Sequence, residues 1–483
     1  MTNSILATDG YKFSMAEAGW PLRREVFYYS HRKGGWQLMP VDVPAVVRAL
    51  LPKAERGDFE YLAANEYEMG IGFKAAMAQH NRIEVRAVPR GGWFYDREPA
   101  FSVVGPSALV SWLEPHLLML NFQIQVATVA ATDPERAARD LATATCERER
   151  ELILGALDAI DVKAWPIQVD GSGYASRVHA TAADLARIVD NPARLFEVGM
   201  RAASCIEQHE IALKACREAG IRRTSNVLLA QKLDMVPVGT MGHEHIQRYG
   251  SDEAAFRAMR DRRPNRSSFL LDTFDTLKSG LPTAFSLMRE DPSHGDSIRY
   301  DSGDKRAQYL FAVQEARRLG LAPVHILEDG FDAALTSEFE ALRHEVGLKE
   351  TEQVYGYGGY LVAKPAGRPY TRDRVSAVYK LSQTGPAATM KFADEIGGGK
   401  ESVPGEPEIW RRTGDSGPLG LVGQAGEVPP TGYARLTGGD PAVSSRDLFD
   451  RTDANDRRIE PSTGTRLMID ALRAKRAAAI DRK

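Results

Sequence analysis

Cysteine is nearly missing from this chain: Cys146, Cys205 and Cys216 are the only three among 483 residues, an odd number with no C-x-x-C spacing. That excludes a disulfide framework and a cysteine-built zinc site, and it predicts reduced, mostly buried thiols. Long apolar runs are missing too. No segment approaches the roughly eighteen uninterrupted apolar residues of a membrane span. The opening MTNSILATDGYKFSM lacks the basic run and apolar stretch of a targeting segment, so a cytoplasmic protein without membrane contact is expected. Charge of one sign is absent as well, with 62 basic against 65 acidic residues, well mixed, and a net charge of -3. Nothing in that balance attracts nucleic acid, and anionic ligands would need local pockets. A P-loop is excluded by the lack of G-x-x-x-x-G-K-S/T, and Gly171-Ser-Gly falls short of the dinucleotide fingerprint.

What remains is an ordinary globular composition, 43% hydrophobic and 26% charged, in a chain long enough for about two or three domains. Residues 1–135 mix strand-like runs (Glu25-Val-Phe-Tyr-Tyr, Arg82-Ile-Glu-Val-Arg-Ala-Val) with helical patches, the last an apolar helix from Leu109 to Leu120, and predict an α+β domain. From 136 to 365 a short β-like run, a polar turn and a helix alternate. The β-like runs start at Ala164, Thr224, Met235, Ser268, Ser297, Val324 and Gln353, and two of the helices are placed at 252–261 and 304–319. Alternation of this kind predicts a parallel sheet, and so many units predict a barrel, whose active site lies at the C-terminal ends of its strands. Residues 366–483 carry strand-like runs Arg374–Leu381 and Ala388–Ala393 that return to the first domain. A Gly/Pro-rich loop at 413–445 and a basic, Ala-rich helix at 466–483 follow.

Polar residues cluster after several of those runs. Gly356-Tyr-Gly-Gly-Tyr could lay backbone N–H groups on a phosphate, or be a plain turn. In Arg299-Tyr-Asp-Ser-Gly-Asp, Asp301 and Asp304 could order a ribose diol or magnesium, or cap the following helix. His243 and His245, flanking Glu244, are poorly spaced for a metal; a histidine nucleophile toward phosphorus and a structural loop histidine are the two readings open. Arg201, Arg222 and Arg223 suit a carboxylate or a solvated surface. Asp272 and Asp275 could support the site or cap a helix.

In order along the chain, Thr8-Asp-Gly-Tyr-Lys, Gly199-Met-Arg, Thr224-Ser-Asn, Gly239-Thr-Met-Gly-His-Glu, Leu271-Asp-Thr-Phe-Asp-Thr, Arg299-Tyr-Asp-Ser-Gly-Asp, Glu328-Asp-Gly, Gly358-Gly359 and Val378-Tyr-Lys-Leu resemble the nicotinate and nicotinamide phosphoribosyltransferase family, from about residue 5 to 412. The resemblance implies an irregular seven-stranded α/β barrel with an α+β domain built from both ends of the chain, in a head-to-tail homodimer with shared active sites. It implies phosphoribosyl transfer from 5-phosphoribosyl 1-pyrophosphate to nicotinate, giving nicotinate mononucleotide and pyrophosphate in NAD salvage, with Mg2+ and with ATP as co-substrate. Carried over residue by residue, Tyr11 would stack on the pyridine ring and Arg32 would reach the pyrophosphate donor, both from the partner subunit. Arg201 and Arg299 would hold the base, Asp301 would order the ribose, and Gly330, Gly358 and Gly359 would cradle the 5′-phosphate, with Lys380 also among the substrate-binding residues. His243 falls where the family has the histidine phosphorylated by ATP, with Glu244 beside it among the catalytic groups. Ser225 stands where nicotinamide-using relatives place an aspartate, and so favours nicotinate; Val198 and Ala202 depart from the family's aromatic ring partner and second arginine, with Phe196 the nearest aromatic. The alternatives are a nicotinamide phosphoribosyltransferase and, from another class, a metal-dependent barrel lyase using Asp301, Asp304 and Glu328.

Overall fold

The computed structural model describes residues 3–392, 401–414, 416–437 and 458–480. Arg24–His31 is rich in aromatic and β-branched residues, and all but its first residue are buried. Such a strand must pair on both edges. On one side it meets Phe101–Pro106; on the other it meets Ala377–Thr384, antiparallel, from Glu25 opposite Thr384 to His31 opposite Ala377. Glu84–Ala87 and Ala387–Ala388 complete this five-stranded sheet. The C-terminal part of the chain thus returns to the N-terminal sheet.

The second sheet has seven parallel strands, ordered Val236–Pro237, Arg223–Thr224, Leu195–Glu197, Gln353–Tyr357, Val324–Leu327, Ser297–Tyr300 and Ser268–Leu270. Its two edge strands are consecutive in the chain, and among the described residues no ladder joins them, so the sheet is curled and incompletely closed. This is the irregular α/β barrel architecture expected. Helix Glu114–Thr132 is buried along most of its length and contacts helix Glu147–Asp158 and strand Ala377–Thr384. The three cysteines are free and buried, the sulfurs of Cys146 and Cys205 lying 3.5 Å apart. No described helix is long and apolar enough to cross a membrane.

Several elements differ from the sequence expectation. The run at Ala164–Asp170 supplies only Gln168–Val169, exposed and paired with Thr143–Ala144 outside the barrel. Its place is taken by Leu195–Glu197, three residues long and too short to show a period-two pattern. The run from Thr224 to Ala230 is a strand only to Thr224. Asn226 accepts a hydrogen bond from Leu229 N at 3.1 Å and starts helix Val227–Leu233, so apolar residues that read as strand bury one face of a helix instead. The apolar helix from Leu109 to Leu120 falls across two, Ser107–Trp112 and Glu114–Thr132. The expected Gly/Pro-rich loop contains strands Gly420–Gln424 and Tyr433–Arg435, which join Pro407–Arg412 and Ile459–Pro461 in a four-stranded sheet; its residues 415 and 438–445 lie outside the described residues, as does Ala393. Strand Ala377–Thr384 starts later than expected, after the helical turn Arg372–Val375. The terminal helix runs from Thr463 to Ile480, with 481–483 beyond the described residues. Its Arg476 donates to the backbone oxygen of Phe274 at 2.8 Å and ties the tail to the barrel.

Candidate active site

A cavity of about 1340 Å³ is lined by every residue carried over above. Much of this follows from topology, because the loops after parallel barrel strands share one face. Arg201 follows Leu195–Glu197, Ser225 follows Arg223–Thr224, and the segment from Gly239 to His243 and Glu244 follows Val236–Pro237. Arg299 lies in Ser297–Tyr300 with Asp301 next. Gly330 follows Val324–Leu327, and Gly358 and Gly359 follow Gln353–Tyr357. Lys380 lies on strand Ala377–Thr384 of the other sheet, and Arg32 directly after strand Arg24–His31.

The N-terminal segment is laid against the barrel by backbone bonds: Gly10 N donates to Ser225 O at 2.7 Å, and Val227 N donates to Thr8 O at 3.1 Å. Two glycines permit that approach. A Cβ on Gly239 would overlap the backbone of Gly10 and Tyr11, and a Cβ on Gly242 would come within 3.3 Å of the Tyr11 ring. Tyr11 therefore enters the cavity of its own chain, where its hydroxyl donates to Glu114 at 2.6 Å and its ring faces the Arg201 guanidinium at 5.5 Å. Burial pushes the Tyr11 hydroxyl well above its ordinary range, so it stays a donor. Arg32 also lines the cavity of its own chain. The close approach at Gly10 and Gly239 thus seats Tyr11 in the cavity of its own chain, which Arg32 also lines; the sharing of these residues between subunits stays part of the proposal below.

Ser225 is not a lone hydroxyl facing the base site. It donates to Asp9 Oδ1 at 2.6 Å, which brings a carboxylate back beside the position where its absence was expected to matter. Burial raises the Asp9 carboxyl, against the charge of Arg201, whose Nε lies 3.6 Å from Asp9 Oδ2. Arg201 also approaches Glu114 Oε1 at 3.5 Å. Arg299 bonds Thr240 and lies 3.7 Å from Asp301 Oδ1. Asp9 Oδ2 and Arg201 Nε, which face each other at 3.6 Å, and Arg299 Nε are buried without a hydrogen bond within the chain. Val198, Ala202 and Phe196 line the same cavity.

His243 Nδ1 lies 3.0 Å from Thr273 Oγ1, and Nε2 lies 2.8 Å from Lys391 Nζ and 3.3 Å from Asp301 Oδ2. Burial first, then the charge of Lys391, pushes the imidazolium below its ordinary range, favouring the neutral, nucleophilic ring. Burial works against an ionised Asp301, but the neighbouring cations Lys391 and Arg299 favour its charged form, and the carboxyl lies well below the usual range. Glu244 lines the cavity, but its Oε1 accepts from Ser111 Oγ at 2.6 Å and pairs with Lys12 at 3.1 Å and Arg248 at 3.7 Å. That geometry makes it an anchor for the helix that carries Tyr11.

Gly330 has φ +78, directly after Asp329 at φ +57, and a Cβ there would meet open space. Two successive left-handed residues expose backbone at the end of a strand, a form suited to a phosphate. Lys380 faces a crowd of cations: burial and then the charges of Lys391, Arg32 and Arg201, against Glu114, push it down to about 7. Asp304 is not among the residues lining the cavity and caps helix Lys305–Leu319, its Oδ1 accepting from Ala307 N at 3.0 Å; Asp275 likewise accepts from Lys278 N at 2.8 Å. Asp272 does support the site, accepting from Lys391 Nζ at 3.3 Å and from Ser302. Among the described residues His243, Asp272 and Asp301 could together hold a metal ion, but the Lys391 ammonium already sits among them, and the set does not fit a magnesium site.

Sequence reasoning missed Asp9, Glu114 and Lys391. Asp9 stood inside a quoted motif, Glu114 inside an apolar helix, and Lys391 in Ala388-Thr-Met-Lys-Phe, where nothing in the spacing set it apart.

No family model matches the chain. It is 25% identical over 463 residues to nicotinate phosphoribosyltransferase 2 of Arabidopsis thaliana, across 89% of this chain and 79% of that one. To the nicotinate phosphoribosyltransferase of Bacillus subtilis it is 26% identical over 247 residues, and there it spans about half the length of each, 49% and 47%. In three dimensions it superposes on a candidate nicotinate phosphoribosyltransferase of Saccharomyces cerevisiae with a TM-score of 0.60 at 16% identity, over 82% of this chain and 94% of that one, which establishes the fold. By sequence over most of its length and by fold, the chain is a relative of the nicotinate phosphoribosyltransferases.

Proposed function

We propose that the chain transfers the phosphoribosyl group of 5-phosphoribosyl 1-pyrophosphate to nicotinate, giving nicotinate mononucleotide and pyrophosphate in NAD salvage, with ATP hydrolysis coupled through a phosphohistidine at His243. The carrying observation is that aromatic, guanidinium, carboxylate, glycine and histidine groups from the ends of six barrel strands and the N-terminal segment line one cavity. The nicotinate ring nitrogen attacks the anomeric carbon with its lone pair while the bond to pyrophosphate breaks, the electron pair leaving with pyrophosphate. A pyridine nitrogen has no proton to lose, so no general base is needed, consistent with Glu244 being held in ion pairs. Catalysis is then positioning and charge stabilisation. Tyr11 and Arg201 hold the base, Asp301 orders the ribose and steadies the developing oxocarbenium charge, Gly330, Gly358 and Gly359 take the 5′-phosphate, and Arg32 and Lys380 face the pyrophosphate. Magnesium enters this reading with the donor's pyrophosphate, since the protein's own His/Asp cluster is filled by Lys391. A cytoplasmic homodimer is part of the same proposal.

The guanidiniums of Arg201 and Arg299 in the cavity favour a carboxylate on the base. One observation favours nicotinamide instead: the Asp9 carboxylate bonded to Ser225 could accept from an amide. The lyase reading is weakened because Asp304 does not line the cavity beside Asp301 and Glu328. Product formation from 5-phosphoribosyl 1-pyrophosphate with nicotinate, nicotinamide or quinolinate, each with and without ATP, tests the proposal. Nicotinate mononucleotide, enhanced by ATP, is expected; preference for nicotinamide would transfer the base assignment to Asp9, and no turnover with any base would sink the transferase reading.

A further inference from the structure

Lys391 belongs to none of the motifs and reaches the cavity from the far end of the N-terminal sheet. Its backbone is clamped: Lys391 N donates to Ser402 Oγ at 2.7 Å, and Ser402 N donates to Lys391 O at 3.2 Å. The side chain is buried, with Nζ 2.8 Å from His243 Nε2, 3.3 Å from Asp272 Oδ2 and 3.9 Å from Asp301 Oδ2. An ammonium has three hydrogens and no lone pair, so it can only donate. Nζ also faces the carboxylates of Asp272 and Asp301. At 2.8 Å the imidazole nitrogen facing it must therefore be an acceptor. The rival arrangement, Nε2–H donating to Asp301 over the longer 3.3 Å, would set a hydrogen of Nε2 against those of Lys391. The shorter contact decides the tautomer: Nε2 bare, and Nδ1–H donating to Thr273 Oγ1 at 3.0 Å.

We propose that Lys391 is the positioning residue for phosphoryl transfer to His243: its hydrogen bond keeps Nε2 unprotonated as the atom that takes the phosphoryl group, and its charge then remains beside that group. The second half rests on the ATP-coupled reading given above. In the step, the Nε2 lone pair forms a bond to the γ-phosphorus of ATP while the bond to the β,γ-bridging oxygen breaks, its electron pair leaving with ADP. Nδ1 keeps its proton and its bond to Thr273. Lys391, having lost Nε2 as acceptor, donates to a phosphoryl oxygen, a charge-assisted bond stronger than the one it replaces.

The test is 15N NMR of the imidazoles in the full-length protein, with the His243 signals identified by their loss in His243→Ala. In the resting wild type Nε2 is expected at an unprotonated shift and Nδ1 at a protonated one. Lys391→Met should move the proton to Nε2, facing Asp301, and Lys391→Arg should restore the wild-type tautomer. With ATP, phosphorus should appear on Nε2 in the wild type and form about ten- to a hundredfold more slowly in Lys391→Met, the loss of one hydrogen bond to a charged group. A purely structural lysine would slow the reaction without moving the proton. A protonated Nε2 in the wild type, an unchanged tautomer in Lys391→Met, or phosphate on Nδ1 would each overturn the proposal; the wild-type tautomer decides even if the methionine variant fails to fold. A bare Nε2 with no phosphoimidazole on adding ATP would instead sink the coupling reading and leave the tautomer assignment standing.

Discussion

Arg201 and His243 line the same cavity but are held in opposite ways. Around Arg201 the polar groups are incompletely matched: its Nε and Asp9 Oδ2 face each other at 3.6 Å and its Nη1 faces Glu114 at 3.5 Å, distances longer than good hydrogen bonds. Around His243 both ring nitrogens are engaged, and Lys391 is balanced by Asp272 and Asp301. An unmatched corner gains from a ligand that completes it, whereas a matched corner fixes a protonation state in advance. On the proposed reading, the contrast separates the part of the cavity that would select the base from the part that would handle phosphorus.

The strongest way to break this contrast is His243→Ala. ATP hydrolysis and phosphoenzyme should disappear while some ATP-independent mononucleotide synthesis persists; an unchanged ATPase would show that the two corners are not divided in this way. Gly239→Ala attacks the other side. Its methyl overlaps the backbone of Gly10 and Tyr11, so Tyr11 should be displaced and transfer to the base should fall roughly a hundredfold, the scale of a misplacement of about 1 Å. Phosphoenzyme formation from ATP should survive; parallel loss of both would mean that the corners move together. Mixing Tyr11→Ala with Asp301→Ala protomers sharpens the origin of Tyr11. Because both residues line the cavity of one chain, verified mixed assemblies should stay inactive if that chain alone builds the site, and recovery toward half of wild-type activity would place Tyr11 in a neighbour's site, as sharing between subunits requires.

Ser225→Asp sets a second carboxylate against Asp9. Nicotinate should bind about tenfold more weakly, with preference moving toward nicotinamide, and an unaltered ratio would leave discrimination to Asp9 and Arg201 alone. The smallest effect concerns Lys380, whose folded-state value is pushed down to about 7. Its charge is present below that pH and lost as pH rises through it, so its help to an anionic ligand fades in the same direction. Binding of 5-phosphoribosyl 1-pyrophosphate should be weaker in Lys380→Met than in wild type at pH 6, with the gap closing by pH 8; comparing the two proteins cancels the ligand's own titration. A gap that is constant over this range would remove Lys380 from the anion site.

The barrel was legible because strands Ser297–Tyr300, Val324–Leu327 and Gln353–Tyr357, four or five residues long, end in polar turns, and Ser268–Leu270 lies in an apolar run that continues into Leu271. Leu195–Glu197 was not, since three residues carry no period, and Asn226 turned an apolar run into a helix by capping it. The candidate residues converged on one cavity because a parallel barrel gathers its strand ends, a consequence that order along the chain is enough to predict. Their partners did not follow from order. That Ser225 bonds Asp9, that Glu244 is tied to Lys12 and Ser111, and that Lys391 meets His243 across 148 positions depend on how two sheets and an N-terminal segment are brought together. Periodicity and turn chemistry act over a few residues, so they dictate elements and the positions of loops. Protonation, charge balance and the seating of Tyr11 beside Glu114 and Arg201 depend on distances of a few ångströms, about 3 Å for the hydrogen bonds, between residues remote in sequence, which packing alone sets.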